Sequence, residues 1–210
     1  MSLHIFSRYF LLHEFGGVYA DLDMECKRSL DEEVQLHECI ISSEPLLHRL
    51  MDSFFTQYPH KMSTAFMACR PRHPFIKHLI DTLEEYGQLE DKPHRTISYM
   101  MEKSLQIYLK DGKFETQPYV PRKNIFQPGF NLDMVETLKT DCDQLDVSDQ
   151  DYQMLQAIGI CRQLKESVNA ADLYKTLTEN AYTIRHWKKN DPSLLQGGSE
   201  VIRVQEWKDV

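Results

Sequence analysis

The chain has no run of about 18 consecutive apolar residues, the length a membrane-spanning helix needs. Its N-terminus does not read as a secretory signal either: Met1 to Phe15 carries Arg8, His13 and Glu14 and lacks a small-residue cleavage site. No C-x-x-C pair occurs among the five cysteines, Cys26, Cys39, Cys69, Cys142 and Cys161. A zinc site is therefore not indicated, and neither is a dense disulfide framework. Five free thiols remain open, as do one or two bridges in an oxidising compartment. There is no basic excess. The net charge is −8 and no basic stripe appears, so a nucleic-acid role has no electrostatic support. No internal repeat or low-complexity tract is visible. What is present is ordinary for one globular domain: 210 residues, 41% hydrophobic and 10% aromatic.

Periodicity divides the chain into short apolar strands and longer helices, which argues for an α/β or α+β layered domain. Residues 2–14 have helical spacing, and Gly16 fits the left-handed residue that ends such a helix. Val18–Leu22, Cys39–Ile41 and Thr64–Cys69 read as strands, and Asp31–Gln35 as a loop. Pro45–Tyr58, Pro74–Tyr86 and Thr96–Leu109 read as helices. Gln117–Pro121 and Ile125–Pro128 are extended pieces bounded by prolines. Residues 133–151 are rich in aspartate and read as a solvated insertion. Two helices follow, near 152–168 and 170–180, and the polar stretch 188–210 reads as a tail.

The chemistry concentrates between Arg8 and Asp23. A helix end, a double glycine, a short strand and two carboxylates follow one another there as R-Y-x(6)-G-G-x-Y-x-D-x-D. Neighbouring strand residues point to opposite faces, so Asp21 and Asp23 share one face, and they converge on one ion only where the strand ends. Carboxylate oxygens favour hard cations such as Mg²⁺ or Mn²⁺. Such an ion would neutralise a diphosphate and make it a better leaving group. Gly16 and Gly17 would let backbone approach a ligand, and Arg8 would offer a planar fork to sugar hydroxyls or phosphate. Asp-x-Asp alone is common by chance; the full string is much more specific.

That string resembles the sugar-nucleotide motif of glycosyltransferase family 32, the group of the yeast initiating mannosyltransferase and the inositol-phosphoceramide mannosyltransferases. Thr64-Ala65-Phe66-Met67-Ala68-Cys69-Arg70-Pro71-Arg72-His73-Pro74-Phe75 is similar to a later strand and helix start of that family. Tyr119-Val120-Pro121-Arg122 with Phe126-Gln127-Pro128 is similar to a late strand, and Tyr182-Thr183-Ile184-Arg185-His186-Trp187 to a terminal "HHW" motif. The resemblance implies a GT-A (Rossmann-like) nucleotide-diphospho-sugar transferase fold over 1–187. It implies transfer of a hexose, mannose first, from a nucleotide-sugar donor to a glycan or glycolipid acceptor, with retention and with Mn²⁺ or Mg²⁺. GDP-mannose or a UDP-hexose would be the donor, and the Golgi membrane or lumen the location. Arg8, Gly16, Gly17, Tyr19, Asp21, Asp23, His186 and Trp187 would bind the donor, with Asp21, Asp23 and His186 at the metal. No catalytic nucleophile is named. Each carry-over has a structural alternative: Tyr19 as core filler, His186-Trp187 as a packing pair on a last helix.

This chain departs from the pattern in several places. Ile5 stands where the family has a nucleotide-contacting Asp, and Thr64 where it has Asn. Arg185 replaces the first His of the terminal motif, Lys188-Lys189-Asn190 replaces its "GSW", and "TGP" appears only as Asp91-Lys92-Pro93, with Thr96 downstream. Met1 falls inside the helix after the family's nucleotide-binding half, so the expectation is an N-terminally truncated chain with an unprotected sheet edge. The alternative is a non-catalytic paralogue that keeps the fold. A third reading, a haloacid-dehalogenase-like phosphatase, explains Asp-x-Asp but not Arg8, Gly16 or His186-Trp187, and Glu25 stands where that class has Thr or Val.

Overall fold

A computed structural model describes residues 3–49, 62–87, 97–112, 116–121, 124–143 and 152–187. Helix α1 (Leu3–Phe15) leads into β1 (Gly17–Ala20) through Gly16. Gly16 has φ +64°, and its N–H donates to the Leu12 carbonyl at 3.0 Å, the left-handed stop that satisfies the last turn. A side chain there would also meet Pro71, whose backbone N lies 2.5 Å from the added Cβ position.

β1, β4 (Met62–Cys69) and β3 (Cys39–Ser43) form an antiparallel sheet in the order β1-β4-β3. Gly17 and Cys39 both lie opposite Cys69, and Tyr19 and Ile41 both lie opposite Met67. The two-residue alternation of strands then sorts the side chains. Cys39, Ile41, Met67 and Cys69 join the core built with α1, α3 (Pro74–Gly87) and α4 (Ile97–Asp111), against which Tyr19 packs. Ile40, Phe66 and Ala68 join a second core on the opposite face, with Leu30, Val34 and Phe126. β4 is buried on both sides, which is why it reads as a continuous apolar run. Its expected start at Thr64 moves back to Met62.

The mixed α/β class agrees with the expectation, and several elements correct it. Asp31–Leu36 is helix α2, not a loop; Asp31, Glu32 and Glu33 fill its first turn, where the helix dipole favours negative charge. The aspartate-rich stretch is not a solvated insertion over its described part. After a 3₁₀ turn (Leu132–Met134), Val135–Asp143 forms α5, with Leu138 and Cys142 one helical turn apart and buried. Cys142 is bridged to Cys161 of α6 (Tyr152–Glu166), and α7 (Ala170–Thr178) completes this third core. A second bridge joins Cys39 to Cys69 across the sheet, leaving Cys26 free. Residues 46–49 are helical as expected; the rest of the helix expected to Tyr58, the 188–210 tail and the Asp91-Lys92-Pro93 departure lie outside the described residues. No helix among the described residues is long and apolar enough to cross a membrane.

The consequential addition is a second, two-stranded sheet. β2 (Met24–Cys26) pairs antiparallel with β5 (Thr183–Arg185), setting Met24 opposite Arg185 and Glu25 opposite Ile184. The terminal motif is therefore a strand, not the end of a last helix.

Candidate functional site

β1 ends at Ala20, and Asp21–Met24 turns the chain into β2, with the Met24 N–H donating to the Asp21 carbonyl at 3.0 Å. Asp21 stays anchored to the sheet edge, its N–H donating to Ala65 O at 2.8 Å. The turn throws Leu22 into solvent (86% exposed) and tucks Asp23 inside (6%). A turn at a strand's exit thus brings two alternate carboxylates to one place, as the spacing requires.

Two arginines, 177 positions apart in the chain, meet there. Arg8 leaves α1 and lies over the Tyr19 ring, its guanidinium carbon 4.4 Å from the ring centroid. Its Nη1 donates to Thr64 O at 3.0 Å and approaches Asp21 Oδ1 at 3.4 Å. Tyr19 donates its hydroxyl to the same Oδ1 at 2.8 Å. Burial and that bond, which the neutral phenol supplies, push the Tyr19 pKa up to about 12. From β5, Arg185 Nη2 donates to Asp21 Oδ2 at 3.0 Å, and its Nε to Asp23 Oδ2 and Oδ1 at 3.1 and 3.3 Å. One guanidinium therefore spans both carboxylates. It is held from behind, since the Tyr174 hydroxyl donates to the Arg185 carbonyl at 3.2 Å.

His186 follows the alternation of the strand and points elsewhere. Its backbone N–H reaches Asp23 O at 2.9 Å, but its Nε2 lies 2.8 Å from Glu25 Oε2. Burial alone would raise the Glu25 pKa; the hydrogen bonds from Lys27 and His186 outweigh it and lower it. Trp187, with φ +54°, packs its ring 4.8 Å from that of His48. His48 Nε2 accepts from the Asn131 N–H at 3.1 Å, and burial together with the charge of Arg185 lowers its pKa to about 4. Of the expected donor residues, Arg8, Tyr19, Asp21 and Asp23 converge directly, Gly16 and Gly17 form the turn beneath them, and His186 and Trp187 flank the cluster. Among the described residues, no group of three or more His, Cys, Asp or Glu side chains is arranged to hold a metal ion.

Known proteins share this part of the chain. Residues 3–43 match the family described as "Glycosyltransferase sugar-binding region containing DXD motif". The segment that builds the site is the part of the chain that is similar to DXD glycosyltransferases. It runs from α1 through β3 and so includes Arg8, both glycines, Tyr19 and both aspartates. The chain is 32% identical over 81 residues to inositol phosphoceramide mannosyltransferase 1 of Schizosaccharomyces pombe, covering 39% of this chain and 21% of that protein. It is 32% identical over 90 residues to a mannosyl phosphorylinositol ceramide synthase of Saccharomyces cerevisiae, covering 43% and 20%. It is 32% identical over 92 residues to inositol phosphoceramide mannosyltransferase 3 of Schizosaccharomyces pombe, covering 44% and 22%. The chain thus spans about one fifth of the length of the curated relatives it matches. No solved structure matches it.

Arg185 is a residue of the candidate site that sequence reasoning did not assign. It stood out only as a departure from a His. The signal that would have found it is the strand β2, three residues long, whose partner lies over 150 residues downstream. Glu25 was missed for the same reason.

Proposed function

We propose that this chain is the donor-binding part of a nucleotide-sugar-dependent hexosyltransferase of GT-A type, occupying residues 1–187. The convergence of Arg8, Tyr19, Asp21 and Asp23 at the exit of β1, inside the DXD region, carries this reading. Arg8 would donate to a sugar hydroxyl or phosphate oxygen, and its Nε, buried with no hydrogen-bond partner among the described residues, is a donor still in need of an acceptor. Free carboxylate lone pairs of Asp21 would accept from sugar or ribose hydroxyls, and Tyr19 would support the pocket wall.

In the reaction, the bond from the anomeric carbon to the diphosphate oxygen breaks, the nucleoside diphosphate leaves with the electron pair, and the acceptor hydroxyl oxygen bonds to the anomeric carbon with retention, its proton passing to the departing diphosphate. Mannose from GDP-mannose is the first choice, because the similar proteins are named as mannosyltransferases. A UDP-hexose is second. Their names also point to an inositol phosphoceramide, a sphingolipid that becomes a glycolipid on mannosylation, as the acceptor. The two disulfides suit an oxidising lumen such as the Golgi.

Calorimetric titration of GDP-mannose and UDP-hexoses into the chain tests this, with Asp21→Asn as control and circular dichroism to establish folding. Binding that identifies one nucleotide and falls at least about tenfold in Asp21→Asn, equivalent to about 1.4 kcal/mol, supports the donor site. A folded chain that binds none of them favours the second reading, a non-catalytic relative. The guanidinium closing both carboxylates is the observation on that side.

A further inference from the structure

The family resemblance calls for a divalent cation at Asp21 and Asp23, and the residues present do not fit one. Asp21 Oδ1 already accepts from Tyr19 and faces Arg8, Asp21 Oδ2 accepts from Arg185, and both Asp23 oxygens lie against Arg185 Nε. A divalent ion would have to displace these bonds and sit against a fixed positive charge. His186, the third expected ligand, is engaged with Glu25.

On the donor-site reading above, we propose that Arg185 takes the place of the divalent cation, so that the donor diphosphate is held by guanidinium groups and its binding needs no metal. Three observations support this. The Arg185 side chain is only 15% exposed, and its backbone is locked into the β2–β5 pair with Tyr174 behind it, so it is not a surface arginine free to swing away. Asp23 is almost fully buried, and a buried carboxylate needs a fixed counter-charge, which Arg185 Nε provides. Arg185 spends only Nε and Nη2 on the carboxylates; Nη1 makes no hydrogen bond among the described residues, leaving a charged donor for a phosphate oxygen. Arg8 stands on the other side of Asp21, so a diphosphate at the mouth of the turn would meet two guanidinium groups.

The test uses the full chain with two probes. Mn²⁺ alone is titrated and followed by the paramagnetic resonance of free Mn²⁺, for wild type, Arg185→His, Arg185→Lys and Asp21→Asn. GDP-mannose and UDP-hexose binding is then measured in EDTA and in Mn²⁺. Wild type should take up no more Mn²⁺ than Asp21→Asn, and Arg185→His should gain Mn²⁺ binding. Wild-type donor affinity should agree within about twofold between the two buffers, and Arg185→Lys, which keeps the charge but loses the fork, should weaken it about tenfold in EDTA. Mn²⁺ uptake by wild type that disappears in Asp21→Asn overturns the inference, as does donor binding seen only with Mn²⁺. A folded wild-type chain that binds no donor in either buffer counts against the hexosyltransferase reading instead, and the Mn²⁺ titration still decides the place of Arg185 by itself.

Discussion

His73 shows how one side chain can serve two structural purposes. It stands just before Pro74, the first residue of α3, and its Nδ1 accepts from the Phe75 N–H at 3.2 Å, in the manner of a helix cap. The ring is fully buried, and its Nε2 has no hydrogen-bond partner among the described residues. Burial, with the nearby charge of Arg70, lowers its pKa from 6.5 to about 4. A histidine whose folded pKa is depressed binds protons more readily when unfolded. Its contribution is therefore whole above pH 6.5 and is lost as pH falls toward 4, on the order of 2–3 kcal/mol across that window. His48 adds to the loss in the same direction. Urea midpoints measured from pH 8 to pH 4 should stay level above pH 6.5 and then decline, and His73→Asn, which keeps a cap acceptor, should decline less steeply. A slope unchanged in the variant would remove His73 from this account.

At the scale of elements, the α1–β1 junction decides where the site can be. Gly16 and Gly17 both have positive φ, +64° and +101°, but only Gly16 has backbone pressed against it. Gly16→Ala would force its Cβ onto Pro71 as well as strain the backbone, whereas an added Cβ at Gly17 meets nothing within 4 Å. Gly16→Ala should therefore cost about 3 kcal/mol and Gly17→Ala about 1 kcal/mol. Thermal unfolding of the two variants reads this order directly, and an equal effect would place the cost in backbone strain alone. Helix α5 shows the opposite case, where local composition misleads. Six acids between 133 and 149 read as a solvated face, but apolar positions one turn apart and a cysteine bridged to α6 bury the inner side. A charge count does not register periodicity, and the partner of Cys142 was not legible at all.

For the whole molecule, the two bridges do what no local element does. Cys39–Cys69 ties the outer strand to the central one, and Cys142–Cys161 ties α5 to α6. Each constrains the unfolded chain and should contribute about 2–4 kcal/mol. Alkylation without reduction, read by mass spectrometry, should label Cys26 alone, and reductant that opens both bridges should lower the unfolding midpoint by about 10–30 °C. Five labelled cysteines would overturn both bridges. The cysteines are odd in number and lack a motif spacing, so only tertiary structure pairs them: the register that sets Cys39 opposite Cys69, and the packing of α5 on α6 that brings Cys142 to Cys161.

The sequence by itself determined the helix stop at Gly16, the strand that follows, the pair of carboxylates at its exit and the kinship of that segment with DXD glycosyltransferases. All of these depend on residues within about two dozen positions of one another, where backbone preference and spacing act directly. Only the tertiary structure decided what faces the carboxylates. Arg185 reaches them through a strand pair linking residues 24–26 to 183–185, and one step along that strand sends His186 to Glu25 instead. Alternation within β5 exposes one residue or the other to the turn, and which one is set by the register of a distant partner.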